Sequence, residues 1–366
     1  MHSRQTQADA LGLSTKELRP TPVAHNQQPS SQPMPGNPPF DHQYSVSVFA
    51  PARLHMGFID LGGTLGRQFG SIGVGVNEIA TRLSISSSDE LEVAGPSSER
   101  AAKAARKIAD KLRMDCRLFI RIHEAIPEHV GLGSGTQLAL AVGMGMAHFH
   151  RLDLGVRDIA KAIERGGRSG IGIAVFEQGG LVVDGGRGVG TVTPPLLSRM
   201  EIPPAWRFIL AFDRRGQGLH GKQEVEAFKT LPIFPVAETA RLCHLLMMQA
   251  LPALAEGDLN GFGAVITDLQ NSVGDHFAPA QGGRFASPEV GLAMAWLQRQ
   301  GAVGIGQTSW GPTGFCMVES PGRAAQLSSE AGQHFDGLDF QVASARNQGA
   351  EILPENASPT VDVLRA

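Results

Sequence analysis

A glycine-rich stretch in the middle of the chain has the residue types of a phosphate-binding loop. Residues 127–147 read PEHVGLGSGTQLALAVGMGMA, with three glycines alternating with other residues near its start. Because glycine lacks a Cβ, such a loop can point its amides at an anion, and the following helix adds free N–H groups and the positive end of its dipole. The alternative is a turn before a buried helix. The residues predicted to contact phosphate are Gly131, Gly133, Ser134, Gly135 and Thr136.

Two further clusters combine charged side chains with glycines. The stretch APARLHMGFIDLGG carries Arg53, His55 and Asp60 where a strand gives way to a loop. The stretch IERGGRSGIG carries Arg165 and Arg168. Arginine recognises phosphate or carboxylate through two parallel hydrogen bonds. A surface salt bridge is the alternative for each arginine, but the neighbouring glycines favour an anion site.

The bulk composition excludes several classes of protein. The 366 residues carry a formal net charge of -3, which leaves no basic stripe for a nucleic-acid backbone. No apolar run approaches the roughly 20 residues that span a bilayer. Cys116, Cys243 and Cys316 lie far apart without CxxC spacing. This argues against a disulfide framework or zinc site and favours a reducing cytoplasm.

The start of the chain reads differently from the rest. Residues 1–43 are rich in Pro, Gln, Ser and His and are predicted to form a disordered tail. The tail lacks the apolar core of a secretory signal and the Arg-rich amphipathicity of a transit peptide. Its histidines, His2, His25 and His42, are expected to be solvated rather than bound to metal.

Beyond the tail, the strand and helix patterns predict an α+β fold. Residues 44–200 mix strands with a few long helices, and a rise in proline near residue 200 marks a boundary. Residues 201–350 follow the order strand, helices, strand, strand, helix, strand that is typical of a ferredoxin-like domain. Residues 351–366 are predicted to form a flexible end. The apolar helix LCHLLMMQALPAL could belong to the core or to an interface.

The three clusters together resemble a superfamily of small-molecule kinases named after galactokinase, homoserine kinase, mevalonate kinase and phosphomevalonate kinase (GHMP). Its signature P-x-x-x-G-L-G-S-S-A-A is matched by Pro127, Gly131, Leu132, Gly133 and Ser134. The resemblance implies a ribosomal-protein-S5-like domain over residues 44–200 and a ferredoxin-like domain over residues 201–350.

Three departures from the kinase pattern argue against phosphoryl transfer. In SGIGIAVFEQGG, Gly172 stands where mevalonate-kinase-like members carry a catalytic aspartate. Gly135 replaces the second serine of the loop. Trp310 enters a motif, GQTSWGPTG, that the kinases keep small.

The altered motifs resemble those of the β-ribofuranosylaminobenzene 5′-phosphate synthase family. Five stretches match in order: PARLHMGFIDL, GLGSGTQLALAV, RGGRSGIG, GLHGKQE and GQTSWGPTG. That family condenses 4-aminobenzoate, or 4-hydroxybenzoate in some archaeal members, with phosphoribosyl pyrophosphate and releases carbon dioxide and pyrophosphate in methanopterin biosynthesis. The resemblance implies this activity and a homodimer, and we expect a magnesium ion with the phosphates. The composition already argues against a nucleic-acid or membrane partner.

The resemblance also implies a role for each candidate residue. The catalytic candidates are Arg53, His55, Asp60, Arg168 and His220. Of these, Arg53 or Arg168 is expected to hold the carboxylate, and His55 or His220 to act as an acid–base or hydrogen-bonding group. The phosphate-binding candidates are the five loop residues with Arg165 and Lys222, and the substrate-binding candidates are Gln137, Asp184, Ser309 and Trp310.

Several of these assignments have open alternatives. Asp60 and Ser134 are the expected magnesium contacts, and Asp184 could contact magnesium or a ribose hydroxyl, or could instead cap a turn. Lys222, in a basic loop with Arg214 and His220, could bind the 5′-phosphate or be a solvated surface charge. A GHMP-type kinase using ATP and a non-catalytic ligand-binding paralogue are the two rival functions.

Overall fold

The strands form two sheets in the computed structural model, which describes residues 44–215 and 231–356. The first sheet contains β1 (Tyr44–Asp60), β2 (Phe69–Ser87), β3 (Glu92–Ala94), β4 (Leu118–Glu124), β5 (Leu181–Asp184), β6 (Leu196–Met200) and β11 (Glu351–Asn356). The second contains β7 (Arg207–Asp213), β8 (Val303–Gln307), β9 (Gly314–Val318) and β10 (Leu338–Ser344). The chain therefore changes sheet between β6 and β7.

The helices divide between the same two parts. The first part contains α1 (Ser98–Leu112), α2 (Ser134–Phe149), α3 (Val156–Ala162) and α4 (Ile171–Gln178). The second contains α5 (Val236–Leu245), a π-helical turn (Leu246–Ala250), α6 (Leu251–Glu256), α7 (Leu259–Gln281), α8 (Pro288–Arg299) and α9 (Pro321–His334). None of the helices described is both long and apolar enough to cross a membrane.

β1 and β2 form a long antiparallel hairpin that carries three of the candidate residues. The register runs from Ser45 opposite Ser86 to Asp60 opposite Phe69. It shifts once after Pro51 and again after His55, as in β-bulges, which re-aim side chains along a strand. Arg53, His55 and Asp60 therefore do not follow one simple alternation.

The end of the described chain contradicts the sequence prediction. Residues 351–356, expected to be flexible, form β11, which pairs antiparallel with β1 from Tyr44 opposite Asn356 to Phe49 opposite Glu351. The pairing satisfies backbone groups that β1 would otherwise leave open at a sheet edge. The predicted tail, residues 1–43, and the last ten residues lie outside the described part of the chain.

The second sheet has the strand order β10-β7-β9-β8, with every neighbouring pair antiparallel. Helices α5 to α8 lie in the chain between β7 and β8, and α9 lies between β9 and β10. This is the order of a ferredoxin-like domain. The α+β fold predicted from the sequence is confirmed.

The largest buried cluster draws on both sheets. Leu54 and Met56 of β1 belong to the same cluster as Phe208 of β7, Ile266 of α7 and Phe315 of β9. A second cluster fills the space between the second sheet and helices α8 and α9. Because the first cluster is shared, residues that are far apart in sequence meet at the junction of the two parts.

The apolar stretch LCHLLMMQALPAL spans the end of α5, the π-helical turn and α6. Leu242, Leu246 and Ala250 are buried in the shared cluster, whereas Met247 and Met248 are 60% and 67% exposed. Its inner face therefore belongs to the core. The homodimer expected from the resemblance stays a prediction.

Candidate active site

The glycine loop connects β4 to α2 in a strained backbone conformation. Gly131 and Gly133 have φ of 84° and 85°, in the left-handed region that favours glycine. A Cβ on Gly131 would also overlap the carbonyl oxygen of Thr308. The backbone therefore requires glycine at these two positions, and phosphate binding by the loop stays a prediction.

The first turn of α2 leaves amide groups free. The amides of Thr136 and Gln137 both donate to the Gly133 carbonyl at 3.0 Å. The amides of Ser134 and Gly135 find no acceptor among the described residues. Free N–H groups at the start of a helix commonly bind anions, because they point out of the helix at the positive end of its dipole.

Arg53 braces this loop from β1. Its amide donates to the Leu132 carbonyl at 3.2 Å, and its Nη1 donates to the Gly131 carbonyl. The Arg53 Nε lies 3.1 Å from the place a Cβ on Gly133 would occupy, so the side chain packs directly against the loop. Arg53 therefore positions the loop, whatever it contacts in a bound substrate.

Thr308 joins the same network from the second part of the chain. Its hydroxyl donates to the Gly131 carbonyl at 2.9 Å and accepts from the His55 amide at 2.9 Å. The Ser309 amide donates to the His55 carbonyl at 3.3 Å. Thr308 is not among the residues predicted from the sequence, although its motif GQTSWGPTG contributes Ser309 and Trp310 to the predicted site.

His55 is buried and uncharged. Burial, aided by the positive charges of Arg53 and Arg168, lowers the pKa of His55 from 6.5 to about 3. Its Nε2 has no hydrogen-bond partner among the described residues. With this pKa the ring cannot act as a cationic acid near neutral pH, so the geometry favours the hydrogen-bonding role over the acid–base role.

The His55 ring lines a small cavity of about 20 Å³, which has room for about one water molecule. Its polar lining comes from Gln270, Gln281, Gln307 and Ser309, and its aromatic lining from Phe58, Phe277 and Trp310. Trp310 is only 4% exposed, and its ring lies 4.4 Å from that of Phe277, centroid to centroid. Trp310, expected to bind substrate, is a buried wall of this cavity.

Asp184 has both carboxylate oxygens engaged inside the protein. Oδ2 accepts from the Ser71 hydroxyl, the Ser169 hydroxyl and the Gly170 amide, and Oδ1 accepts from the Gly186 amide. Burial raises the pKa of Asp184 despite these bonds. The arrangement matches the turn-capping alternative, since it fixes both the start of α4 and the turn after β5.

Asp60 lies away from the glycine loop. Its Oδ1 accepts from the amides of Gly62 and Gly63, at 2.9 and 2.8 Å, and from the Thr239 hydroxyl at 3.3 Å. It also lines an apolar cavity of about 530 Å³ with Ile59 and Leu246, to which no loop residue contributes. In the described structure, Asp60 and Ser134 do not contact each other and do not line the same cavity.

The other side of the loop faces a second cavity, of about 290 Å³, that we call the basic cavity. Its floor is formed by Leu138, Ala139 and Ile163, and its cationic lining by Arg100, Lys103, Lys107 and Arg165. The glycine loop contributes Gly135 to the lining.

Arg165 was predicted from the sequence, but the α1 cations were not. These cations are three and four residues apart, which places them on one face of the helix. That spacing would have been enough to predict a basic face on α1.

Comparison with known proteins identifies the family. Residues 99–180 match the GHMP kinases N terminal domain, and residues 250–337 match the GHMP kinases C terminal domain. The chain is 30% identical over 329 residues to beta-ribofuranosylphenol 5′-phosphate synthase of Methanothermobacter thermautotrophicus, covering 84% of this chain and 98% of that protein. The enzyme of the same name from Archaeoglobus fulgidus is 32% identical over 330 residues, covering 82% and 97%. This chain belongs to the β-ribofuranosylphenol 5′-phosphate synthase family.

Membership of this synthase family confirms the resemblance that rested on five motifs. The fold is shared with kinases: galactokinase of Lactococcus lactis in complex with galactose superimposes with a TM-score of 0.62 at 15% identity, over 85% of this chain and 96% of that one. The two-domain GHMP fold expected from the sequence is therefore confirmed.

At Gly172, where the kinases carry an aspartate, side chains of α2 lie close to the backbone. A Cβ on Gly172 would lie 3.1 Å from the Thr136 Cγ2. Gln137 is fully buried and donates through Nε2 to the Gly172 carbonyl at 2.8 Å. Gln137 therefore ties α2 to α4, and its expected contact with substrate stays a prediction.

Two predicted residues of this family member, His220 and Lys222, lie outside the described residues. Their neighbour Arg214 is described. Arg214 lies at the surface, where its guanidinium group forms an ion pair with the Asp339 carboxylate at 2.8 Å.

Proposed function

We propose that this protein transfers the ribose 5-phosphate unit of phosphoribosyl pyrophosphate to 4-aminobenzoate or 4-hydroxybenzoate, with release of carbon dioxide and pyrophosphate, in methanopterin biosynthesis. The relatives are named for a β-ribofuranosylphenol 5′-phosphate, which supports transfer of a ribosyl phosphate to an arene. The structural observation that carries the proposal is the pair of free amides, Ser134 and Gly135, at the start of α2. They are suited to hold an anionic group.

In the first step the bond between the ribose C1 and a diphosphate oxygen breaks, and the electron pair leaves with the oxygen. Positive charge develops on the sugar and negative charge on the diphosphate. Donors fixed in advance towards the leaving oxygen stabilise this charge without reorganising. The contacts from Arg53 and Thr308 to Gly131 hold the loop in its conformation before substrate arrives.

In the second step the arene carbon that bears the carboxylate attacks C1. Loss of carbon dioxide then returns the electrons of the broken carbon–carbon bond to the ring and restores aromaticity. Arg53 or Arg168 would hold the carboxylate, because the charges of both act on the His55 ring. Arg53 also braces the loop, so Arg168 is the position that tests the carboxylate contact separately from loop conformation. The neutral His55 Nε2 would accept a hydrogen bond rather than supply a proton.

We also propose that magnesium accompanies the diphosphate. In the described part of the chain, no three His, Cys, Asp or Glu side chains lie together in a way that could hold a metal ion. Asp60 does not fit this role, since it lies away from the loop; Ser134 is the residue that would contact the ion. The ion would offset the charge of the diphosphate and would take most of its ligands from phosphate and water.

The purified protein tests the proposal directly. Incubation with phosphoribosyl pyrophosphate and carboxyl-labelled 4-aminobenzoate or 4-hydroxybenzoate should release labelled carbon dioxide and pyrophosphate in equal amounts. ADP formation from ATP, without labelled carbon dioxide, would show a kinase instead. Saturable donor binding without turnover would show a non-catalytic paralogue.

The role of Arg168 has its own test. Arg168→Gln should raise the KM for the benzoate about tenfold, the loss expected for a charge-assisted hydrogen bond. Arg299→Gln, at an exposed position at the end of α8, is the matched control and should leave this KM unchanged. Equal KM values in the two variants would remove Arg168 from the site.

A further inference from the structure

The basic cavity brings together residues from three separate parts of the chain, two of which supply cations. Arg100, Lys103 and Lys107 come from α1, Arg165 follows α3, and Gly135 opens α2. Two of these cations have carboxylate partners: Arg100 pairs with Glu128 at 2.6 Å and Lys107 with Glu164 at 2.8 Å. The cavity therefore contains more positive charge than these two pairs offset.

Arg165 and Lys103 supply the excess charge. Neither side chain has a hydrogen bond or ion pair within the described structure. Although Arg165 is partly exposed, desolvation against the cavity wall and the nearby Arg100 charge both lower its pKa. Two guanidinium groups on one cavity repel each other unless an anion lies between them, and arginine is the side chain best matched to phosphate oxygens.

The size of Gly135 decides how closely these guanidinium groups approach the loop. A Cβ at this position would lie 2.7 Å from the Arg100 Nη2 and 3.4 Å from the Arg165 Nη2. Gly135 lies in the first turn of α2 and does not have a positive φ, unlike Gly131 and Gly133. Its small size therefore leaves room for the neighbouring guanidinium groups rather than allowing a special backbone conformation.

We propose that the basic cavity is the diphosphate subsite of the sugar donor, with Arg165, Arg100 and Lys103 contacting phosphate oxygens beside the free amides of Ser134 and Gly135. This inference rests on the proposed function and adds to it residues of α1 that the glycine loop does not contain. The glycine that stands in place of the second loop serine makes room for the guanidinium groups. The cavity then holds the leaving group as its charge increases.

Inorganic pyrophosphate is the probe for this subsite, titrated calorimetrically into the full-length protein. Arg165→Gln should weaken binding about tenfold or more, since it removes a charge-assisted contact. Lys103→Met, at an exposed position, should weaken it about threefold. Arg106→Gln removes an exposed cation from the same helix that does not line the cavity, so it should change the affinity less than about twofold.

Gly135→Ala provides a second, independent test. The added methyl group should displace the Arg100 guanidinium, so pyrophosphate binding should weaken severalfold while the thermal unfolding midpoint stays near that of the wild type. Equal pyrophosphate affinities in Arg165→Gln and Arg106→Gln would overturn the inference. So would an Arg165-dependent affinity for ATP more than tenfold tighter than that for phosphoribosyl pyrophosphate, because the cavity would then be a nucleotide site.

The two proposals fail separately. If the wild type releases carbon dioxide and both Arg165→Gln and Gly135→Ala keep its KM for phosphoribosyl pyrophosphate, the subsite is wrong and the proposed function stands. If pyrophosphate binds in an Arg165-dependent way but neither benzoate is decarboxylated, the subsite stands and the proposed function is wrong.

Discussion

The Thr308 hydroxyl donates a hydrogen bond to the Gly131 carbonyl oxygen at 2.9 Å, although 177 residues separate them in the sequence. The same hydroxyl accepts a hydrogen bond from the His55 amide. One side chain from the ferredoxin-like part thus joins β1 to the glycine loop. The conformation of the loop depends on how the two parts of the chain pack together.

Removing this hydroxyl should loosen the loop. Thr308→Val leaves the buried His55 amide without its acceptor, so we expect a loss of about 1–3 kcal/mol in the free energy of unfolding. The KM for phosphoribosyl pyrophosphate should rise more than kcat falls. Urea unfolding and donor titrations measure the two effects. Thr308→Ser retains the hydroxyl and should behave like the wild type; a Ser variant as impaired as the Val variant would contradict the role of the hydroxyl.

His55 should make the protein more stable as the pH rises from acid to neutral. Its pKa is about 3 when folded and 6.5 when unfolded, so the unfolded state binds the extra proton between these values. The contribution of His55 to the free energy of unfolding is complete above pH 6.5 and is lost as the pH falls towards 3. From pH 8 to pH 5 the loss due to His55 should be about 2 kcal/mol.

Urea unfolding at pH 8 and pH 5 measures this contribution. His55→Gln should lose about 2 kcal/mol less than the wild type on acidification. His123→Gln, which replaces an exposed histidine of β4, should lose as much as the wild type. If the His55 and His123 variants respond to acid alike, His55 does not have a low pKa.

The left-handed backbone at Gly131 should matter for binding as well as for stability. Gly66 has a similar φ, 80°, but a Cβ there would meet no atom within 4 Å. Gly66→Ala should therefore cost only the backbone strain, about 1–2 kcal/mol of unfolding free energy. Gly131→Ala adds the overlap with the Thr308 carbonyl, so it should cost more and weaken pyrophosphate binding. Thermal unfolding and calorimetry compare the variants, and equal behaviour would show that the loop is not tightly held.

Asp184 should act on stability through its internal hydrogen bonds. In Asp184→Asn the new amide group would face the donors that now bond the carboxylate, so we expect a loss of about 1–3 kcal/mol of unfolding free energy. Asp339→Asn breaks an exposed ion pair with Arg214 and should cost at most about 1 kcal/mol. Similar unfolding midpoints for the two variants would argue against the capping role of Asp184.

The sequence predicted those features that short segments specify. The glycines at positions 131 and 133 indicated a loop that ordinary residues cannot form, and the structure gives both a positive φ. The order of strands and helices after residue 200 indicated the ferredoxin-like part. Local patterns were enough in these cases because turns, helix starts and strand alternation depend mainly on neighbouring residues.

Other features depend on distant segments, which decide the surroundings of a residue. Residues 351–356 looked like a loose end because nothing near them in sequence shows that β1 has an open edge. Trp310 and Gln137 looked like substrate contacts, yet both are buried by elements far along the chain. Asp60 and Ser134, expected to be magnesium contacts, share no contact or cavity in the described structure.

By itself, the sequence determined the glycine loop, the helix that follows it and the family of the chain. The tertiary structure decided which charges surround that loop: the α1 cations beside Gly135, the buried neutral His55 and the Thr308 hydroxyl. The physical reason is that burial and charge pairing are set by whatever lies within a few ångströms. In this protein those neighbours come from separate segments: α1 lies beside Gly135, and Thr308 reaches β1 and the loop from the second part of the chain.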